Sequence, residues 1–165
     1  HGIDYSLTTP WLKKIKRTPS PTHYIWEDFE MDGRHRKGFY NIVVDQRTSD
    51  DKNQRTRYEF RIKDNIIHLN IDDITYNCIQ TDQQWGIQLK FTRCYQPSTK
   101  GKVTIFLNSS MADLRKKVTV FLNGQKVYNS KPQPTIGAML KSLAVFGDPL
   151  RIYPVAIGLQ LKQSK

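Results

Sequence analysis

The residues best placed to do chemistry are carboxylates: Asp45, and further along Glu59-Phe60-Arg61. One group of magnesium-dependent nucleases sets an Asp ahead of a Glu-x-Lys on adjacent strands, so that carboxylates hold the ion and the ammonium orients the attacking water. Arg61 stands where that Lys belongs, and a permanently charged planar fork does not replace it. The pattern reads instead as a salt-bridged strand face. Asp28, Glu30 and Asp32 with Gly33 begin like a calcium loop, but the closing downstream Glu is missing, which leaves a solvated acidic turn. The four histidines are scattered, and no zinc-type Cys/His spacing, Gly-rich phosphate loop or nucleophile elbow occurs. These absences predict a non-enzymatic protein with no metal and no cofactor.

What remains is charge. The chain carries a formal +11, all of it beyond Asp82: residues 83–165 hold 13 Lys and Arg against only Asp113 and Asp148, while residues 1–82 balance. A small domain ordinarily needs about +2 to +8 for solubility. A one-sided field of this size suits phosphates, nucleic acid first and acidic membrane or protein surfaces second. The candidate contacts are Lys90, Arg93, Lys100, Lys102, Arg115, Lys116, Lys117, Lys126 and Lys131, with Tyr95 and Tyr128 available to stack on bases or sugars. If sequential strands lie side by side, these residues converge on one end or face.

The elements that must position them begin after an arm. Residues 1–22 hold prolines at 10, 19 and 21, which forbid a long helix, and the basic run Lys13-Lys14-Ile15-Lys16-Arg17. Its cations Lys13, Lys14, Lys16 and Arg17 have the density of a phosphate-binding or nuclear-import stretch. The arm reads as flexible, and residues 23–165 as one domain. A chain of this length buries about two-thirds of its unfolded surface, enough for a core without disulfides.

Strand follows strand from Phe39. Phe39–Asp45 is a buried apolar run. Arg57–Lys63 alternates, with Tyr58, Phe60 and Ile62 on one face and Arg57, Glu59, Arg61 and Lys63 on the other. Asp64-Asn65 turns the chain into Ile66–Ile71. Ile74–Ile79 and Trp85–Cys94 form a hairpin across Thr81-Asp82-Gln83-Gln84, with Trp85, Ile87, Leu89 and Phe91 inward. That register sets Cys78 opposite Ile87 and Cys94 about 24 Å further on, too far for a disulfide. Free thiols, and N-terminal residues without a signal peptide's apolar centre, predict an intracellular, nuclear or cytoplasmic protein. The sequon at Asn108 then reads as a turn.

Lys102-Val103-Thr104-Ile105-Phe106-Leu107-Asn108 is nearly copied at Lys117-Val118-Thr119-Val120-Phe121-Leu122-Asn123. The copies predict two similarly placed strands with Val103, Ile105, Leu107 and Val118, Val120, Leu122 in the core. Asn123-Gly124 signals a type I′ hairpin returning through Gln125–Asn129. One helix is expected, capped by Thr135, with Ile136, Met139, Leu140 and Leu143 on its apolar face and Gly147-Asp148-Pro149 at its end. Leu150–Leu161, interrupted by Pro154, suits an edge strand. The pattern predicts an all-β, mainly antiparallel fold: a β-sandwich of about eight strands with one short helix near the C-terminus, a barrel being the second choice.

The stretch from Asn70-Ile71-Asp72-Asp73-Ile74-Thr75-Tyr76-Asn77 through Cys94, with Lys100-Gly101 and the strand pair, is similar to part of the sandwich domain of Grainyhead-type transcription factors. The run from Trp85 to Asn129 resembles TRAF-like adaptor domains equally well. Two unrelated sandwiches fitting one stretch mark strand spacing, not ancestry. The expected function is nucleic-acid binding, DNA or RNA, through the basic surface of residues 90–131. The alternatives are a structural or assembly protein of viral capsid or matrix type, self-associating on genome or acidic membrane, and a protein-interaction sandwich.

Overall fold

The computed structural model describes residues 9–14, 18, 20–83 and 86–161. Among them are ten strands and two α-helices: α1 (Thr9–Leu12), β1 (His23–Asp28), β2 (Gly38–Phe39), β3 (Ile42–Gln46), β4 (Arg55–Lys63), β5 (Ile66–Gln83), β6 (Gly86–Pro97), β7 (Lys102–Leu107), β8 (Val118–Leu122), β9 (Gln125–Ser130), α2 (Ile136–Phe146) and β10 (Val155–Gln160), with a 3-10 turn at Pro149–Arg151. The strands make two sheets and no closed barrel, so the fold is all-β and sandwich-like.

The first sheet runs β1-β4-β5-β8-β9, with β6 also paired to β5. Its pairs are antiparallel except β5 with β8, which is parallel from Ile66 opposite Thr119 to Leu69 opposite Leu122. The second sheet runs β10-β7-β3-β2, all antiparallel. Alternation dictates what each strand buries: Tyr24 and Trp26, Tyr58, Phe60 and Ile62, Ile67, Leu69 and Ile71, Val118 and Val120 turn inward. They join Ile42, Val103, Ile105, Leu107 and Val155 in one core.

The twin strands sit in opposite sheets: β8 in the first, β7 central in the second. β7 is buried on both faces because α2 covers the outer side of its sheet, where Phe106 meets Phe146 and Tyr153 at ring distances of 6.0 and 6.1 Å. Turn chemistry fixes the hairpins. Asp64-Asn65 (φ 49° and 62°) and Asn123-Gly124 (φ 47° and 80°) both hold the paired positive φ values of a type I′ turn.

Several expectations need correction. Phe39–Asp45 is no single strand, because Tyr40 (φ 48°) and Asn41 turn the chain between β2 and β3. The last strand starts only after Pro154, although it does lie at a sheet edge as expected. The β5–β6 hairpin closes at Gln83 opposite Gly86, so Cys78 faces Phe91 and Cys94 faces Thr75. The cysteines are then offset by three positions, roughly 10 Å, and both are free.

The larger correction is where this hairpin points. β4 ends at Arg55 opposite Ile74, and beyond that point β5 and β6 pair only with each other. The result is a two-stranded ribbon projecting past the sandwich with no sheet to cover it. Leu89 and Phe91, expected inward, are 52% and 64% exposed; Trp85 lies outside the described residues. Helix α2 also turns its expected apolar face outward, with Ile136 76% and Leu140 62% exposed, and buries Ala138 and Ser142 instead. The Ser142 hydroxyl donates to the Met139 carbonyl (2.8 Å) and accepts from the Tyr153 N–H (3.0 Å), which draws the small-residue face onto the chain entering β10. Among the described residues, no helix is long and apolar enough to cross a membrane.

Candidate functional site

The outer face of the first sheet carries the cations, and cross-strand register decides which of them meet. His23 lies opposite Arg61, Arg61 opposite His68, His68 opposite Phe121, and Phe121 opposite Lys126. This row crosses β1, β4, β5, β8 and β9, roughly 19 Å at about 4.8 Å per strand. At its centre the His68 and Phe121 rings stack with centroids 5.0 Å apart and planes 8° from parallel. The next row is Lys63, Ile66, Thr119 and Asn129. Lys117 and Lys131 follow two residues from Thr119 and Asn129, on the same face and the same end.

That end is tied down by Asn65. Its side-chain amide donates to the carbonyl of Asp113 (2.8 Å), its side-chain oxygen accepts from the Asp113 N–H (2.8 Å), and its backbone carbonyl accepts from the Thr119 N–H (3.0 Å). The loop holding Arg115, Lys116 and Lys117 is thereby fixed against the β4–β5 turn.

Not all of the charge is available. Glu59 accepts from Arg57 (2.7 Å) and Arg61 (2.6 Å) and lies 3.7 Å from His23. Burial pushes its carboxyl up, but the hydrogen bonds from the two guanidiniums outweigh it and hold the group below the usual carboxylate range. Arg115 is 90% exposed at its side chain, yet it donates to Asp113 from its backbone N–H (3.1 Å) and Nε (3.0 Å), which lowers that carboxyl too. Lys116 Nζ is 3.7 Å from Asp113. Lys63, Lys117, Lys126 and Lys131 make no ion pair among the described residues and are exposed.

The expected contact residues therefore divide. Arg115, Lys116, Lys117 and Lys131 gather at the Asn65 end, while Lys126, opposite Phe121, lies on the same face toward the Asn123 turn. Lys100 and Lys102 lie at the opposite end, near Asn123, whose amide donates to the Ser98 carbonyl (3.4 Å). Lys90 is on the ribbon. Arg93 donates to the Tyr76 hydroxyl (3.4 Å) and forks onto Glu27 at 3.1 and 2.8 Å, and these bonds, that to Tyr76 first, raise its pKa. Tyr95 is exposed beneath the Arg57 guanidinium, 5.6 Å from its ring centroid. Tyr128 is set apart from this face: it lies opposite Val120, on the core side, and packs half-buried against the core, so it does not present a ring to the outer face. Lys13 and Lys14 are exposed beyond α1, while Lys16 and Arg17 lie outside the described residues.

Sequence reading missed Arg61, Lys63, His68 and Phe121 as site residues. The alternation of β4 and β8 does place Lys63 and Phe121 outward, and only the parallel β5–β8 pairing brings Phe121 to His68. The two carboxylates of the nuclease-like pattern stand in different sheets. Asp45 accepts from Thr104 and from Lys141 (3.0 Å), far in topology from Glu59. Among the described residues, no three His, Cys, Asp or Glu are grouped to hold a metal ion. Asp32-Gly33 (φ 51° and 76°) is a tight turn bridging Met31 and Arg34, and Asp28 is buried with His35 at 3.2 Å.

Two clefts of similar size flank the first sheet. One, about 630 Å³, has no charged residue in its lining, which includes Pro97, Asn123, Val127 and Leu161. The other, about 610 Å³, is lined by His23, Arg61, Lys63, Asp64, Ile66 and His68 among others. Compared with known proteins, the chain matches no family model, no curated protein and no solved structure.

Proposed function

We propose that this chain is a nucleic-acid-binding domain with no catalytic step of its own, and that it contacts phosphates through the outer face of the first sheet. The observation that carries the reading is the set Lys63, Lys117, Lys126 and Lys131. Four ammonium groups from three chain segments share one face and have no carboxylate partner among the described residues. A single surface lysine contributes little, whereas several cations on one face neutralise several phosphates and release their counterions together. Arg115 and Lys116 add to the same end, although Asp113 offsets part of their charge.

The test compares two charge reversals by fluorescence anisotropy with labelled oligonucleotides. Lys63→Glu with Lys117→Glu and Lys131→Glu should abolish binding, and Lys100→Glu with Lys102→Glu, at the opposite end, should leave most of it. Equal losses, or loss only in the second variant, would remove the outer face from the account. A second reading, an assembly or protein-interaction module, is favoured by the exposed apolar residues of the ribbon and of α2. Sedimentation velocity separates the two, since concentration-dependent assembly without oligonucleotide binding supports only the second.

A further inference from the structure

The neutral cleft and the basic cleft are nearly equal in volume, but only the basic one borders an aromatic stack. Its lining comes from β1, β4, β5 and the turns beside them. β5 lies between β4 and β8, so the cleft is on the β4 side of His68 while Phe121 backs the imidazole from the β8 side. A planar group entering the cleft therefore meets a ring already braced on its far side. Arg61 leans along its strand toward Glu59 at 2.6 Å, which keeps its guanidinium from filling the space beside His68. Ile66 contributes an apolar side chain, and Lys63 and His23 border the same space. The combination is an aromatic surface, an apolar contact and cations within one cleft of ligand size, with Asp64 the one carboxylate in its lining.

Duplex nucleic acid cannot use such a site, because its bases are stacked and paired and only its backbone reaches a flat protein face. A single strand can, since an unstacked base has a free π-face and its own phosphate a short distance away. We infer that this cleft seats one nucleotide of single-stranded nucleic acid, with the base stacked on His68 and the backbone phosphate directed to Lys63. The inference rests on the nucleic-acid reading above and narrows it to single strands.

The experiment uses the full chain with a single-stranded 12-mer containing one 2-aminopurine, the matching duplex, and phosphatidylserine vesicles. The single strand should bind at least about ten-fold more tightly than the duplex, and 2-aminopurine fluorescence should be quenched in the complex. His68→Ala should weaken single-strand binding by about 5- to 150-fold, the range for losing one base–aromatic stack. It should restore the fluorescence and leave duplex binding unchanged, and His68→Phe should retain the quench. Single-strand binding by wild type with no effect of His68→Ala overturns the cleft assignment while sparing the basic face. Equal affinity for duplex, or tighter binding to vesicles, overturns the single-strand assignment. No binding to either nucleic acid refutes the underlying reading instead.

Discussion

The twin strands make one comparison unusually sharp, because the same Thr-x-Phe-Leu-Asn sequence places Phe106 and Phe121 in opposite environments. Phe106 is fully buried between the second sheet and α2, with Phe146 at 6.0 Å, Tyr153 at 6.1 Å and the Lys141 ammonium 6.0 Å from its centroid. Removing such a ring leaves a cavity that the packed layers cannot close, and Phe106→Ala should cost about 3–5 kcal/mol. In a domain of this size that is a fall in Tm of about 6–20 °C. Phe121 is half-buried on the outer face and loses chiefly its stack on His68, so Phe121→Ala should cost about 1–2 kcal/mol, or about 2–8 °C. Urea and thermal unfolding of both variants provide the measurement. Binding of a single-stranded oligonucleotide should follow the opposite order, impaired in Phe121→Ala and kept by the folded fraction of Phe106→Ala. Equal stability losses, or weaker binding in Phe106→Ala alone, would refute the assignment of the two faces.

Three further outcomes follow from the same coordinates. Burial raises the Asp28 carboxyl against the opposing pull of His35 and Arg47. Its stabilising protonated form is therefore fully present below the unfolded pKa and lost as pH rises through the folded one. Asp28→Asn stays neutral, so its Tm relative to wild type should rise as pH climbs above the unfolded carboxyl's value of about 4; a constant difference contradicts this. Joining Ile74 to Tyr95 through Asn-Gly, in place of the ribbon, should leave the sandwich folded within about 1 kcal/mol, since beyond Ile74 the ribbon strands pair only with each other and the lost Arg93–Glu27 pair is a surface one. Loss of cooperative unfolding would show that the ribbon supports the fold. Ser142→Ala should destabilise by about 0.5–1.5 kcal/mol because it removes the hydroxyl that accepts from the Tyr153 N–H, and an unchanged Tm would argue against that contact.

Much of the fold was legible because its signals are local. The alternation of β4, the Asn123-Gly124 turn, the Thr135 cap accepting from the Ala138 N–H at 3.1 Å, and the left-handed Gly147 each act within a few residues. The errors arose where a local pattern met a missing or competing partner. Apolar alternation continues through Leu89 and Phe91 although the sheets stop at Ile74, and periodicity carries no information about where coverage ends. In α2 the hydrophobic stripe predicted burial of Leu140, but the Ser142 contact with Tyr153 sets the rotation of the helix. The site was the least legible part. Charge counting found Lys117, Lys126 and Lys131, and it counted Lys100 and Lys102 equally, although β8 separates Lys117 from the Asn123 end, where those two lie, by roughly 20 Å. It passed over Lys63, Arg61 and His68 because residues 1–82 are neutral in sum. The pairing of β5 with β8 is what moves those residues beside the basic half, and parallel pairing of distant strands has no local signature.

The most direct test of the basic outer face is the salt dependence of oligonucleotide binding. With Lys63, Lys117, Lys126 and Lys131 each meeting one phosphate of a single strand, log K should fall linearly with log salt at a slope near −3, from about 0.7 per contact. Replacing Lys63, Lys117 and Lys131 by Gln should flatten the slope to about −1. A wild-type slope near zero, or a slope that the three substitutions leave unchanged, would contradict phosphate contact at this face.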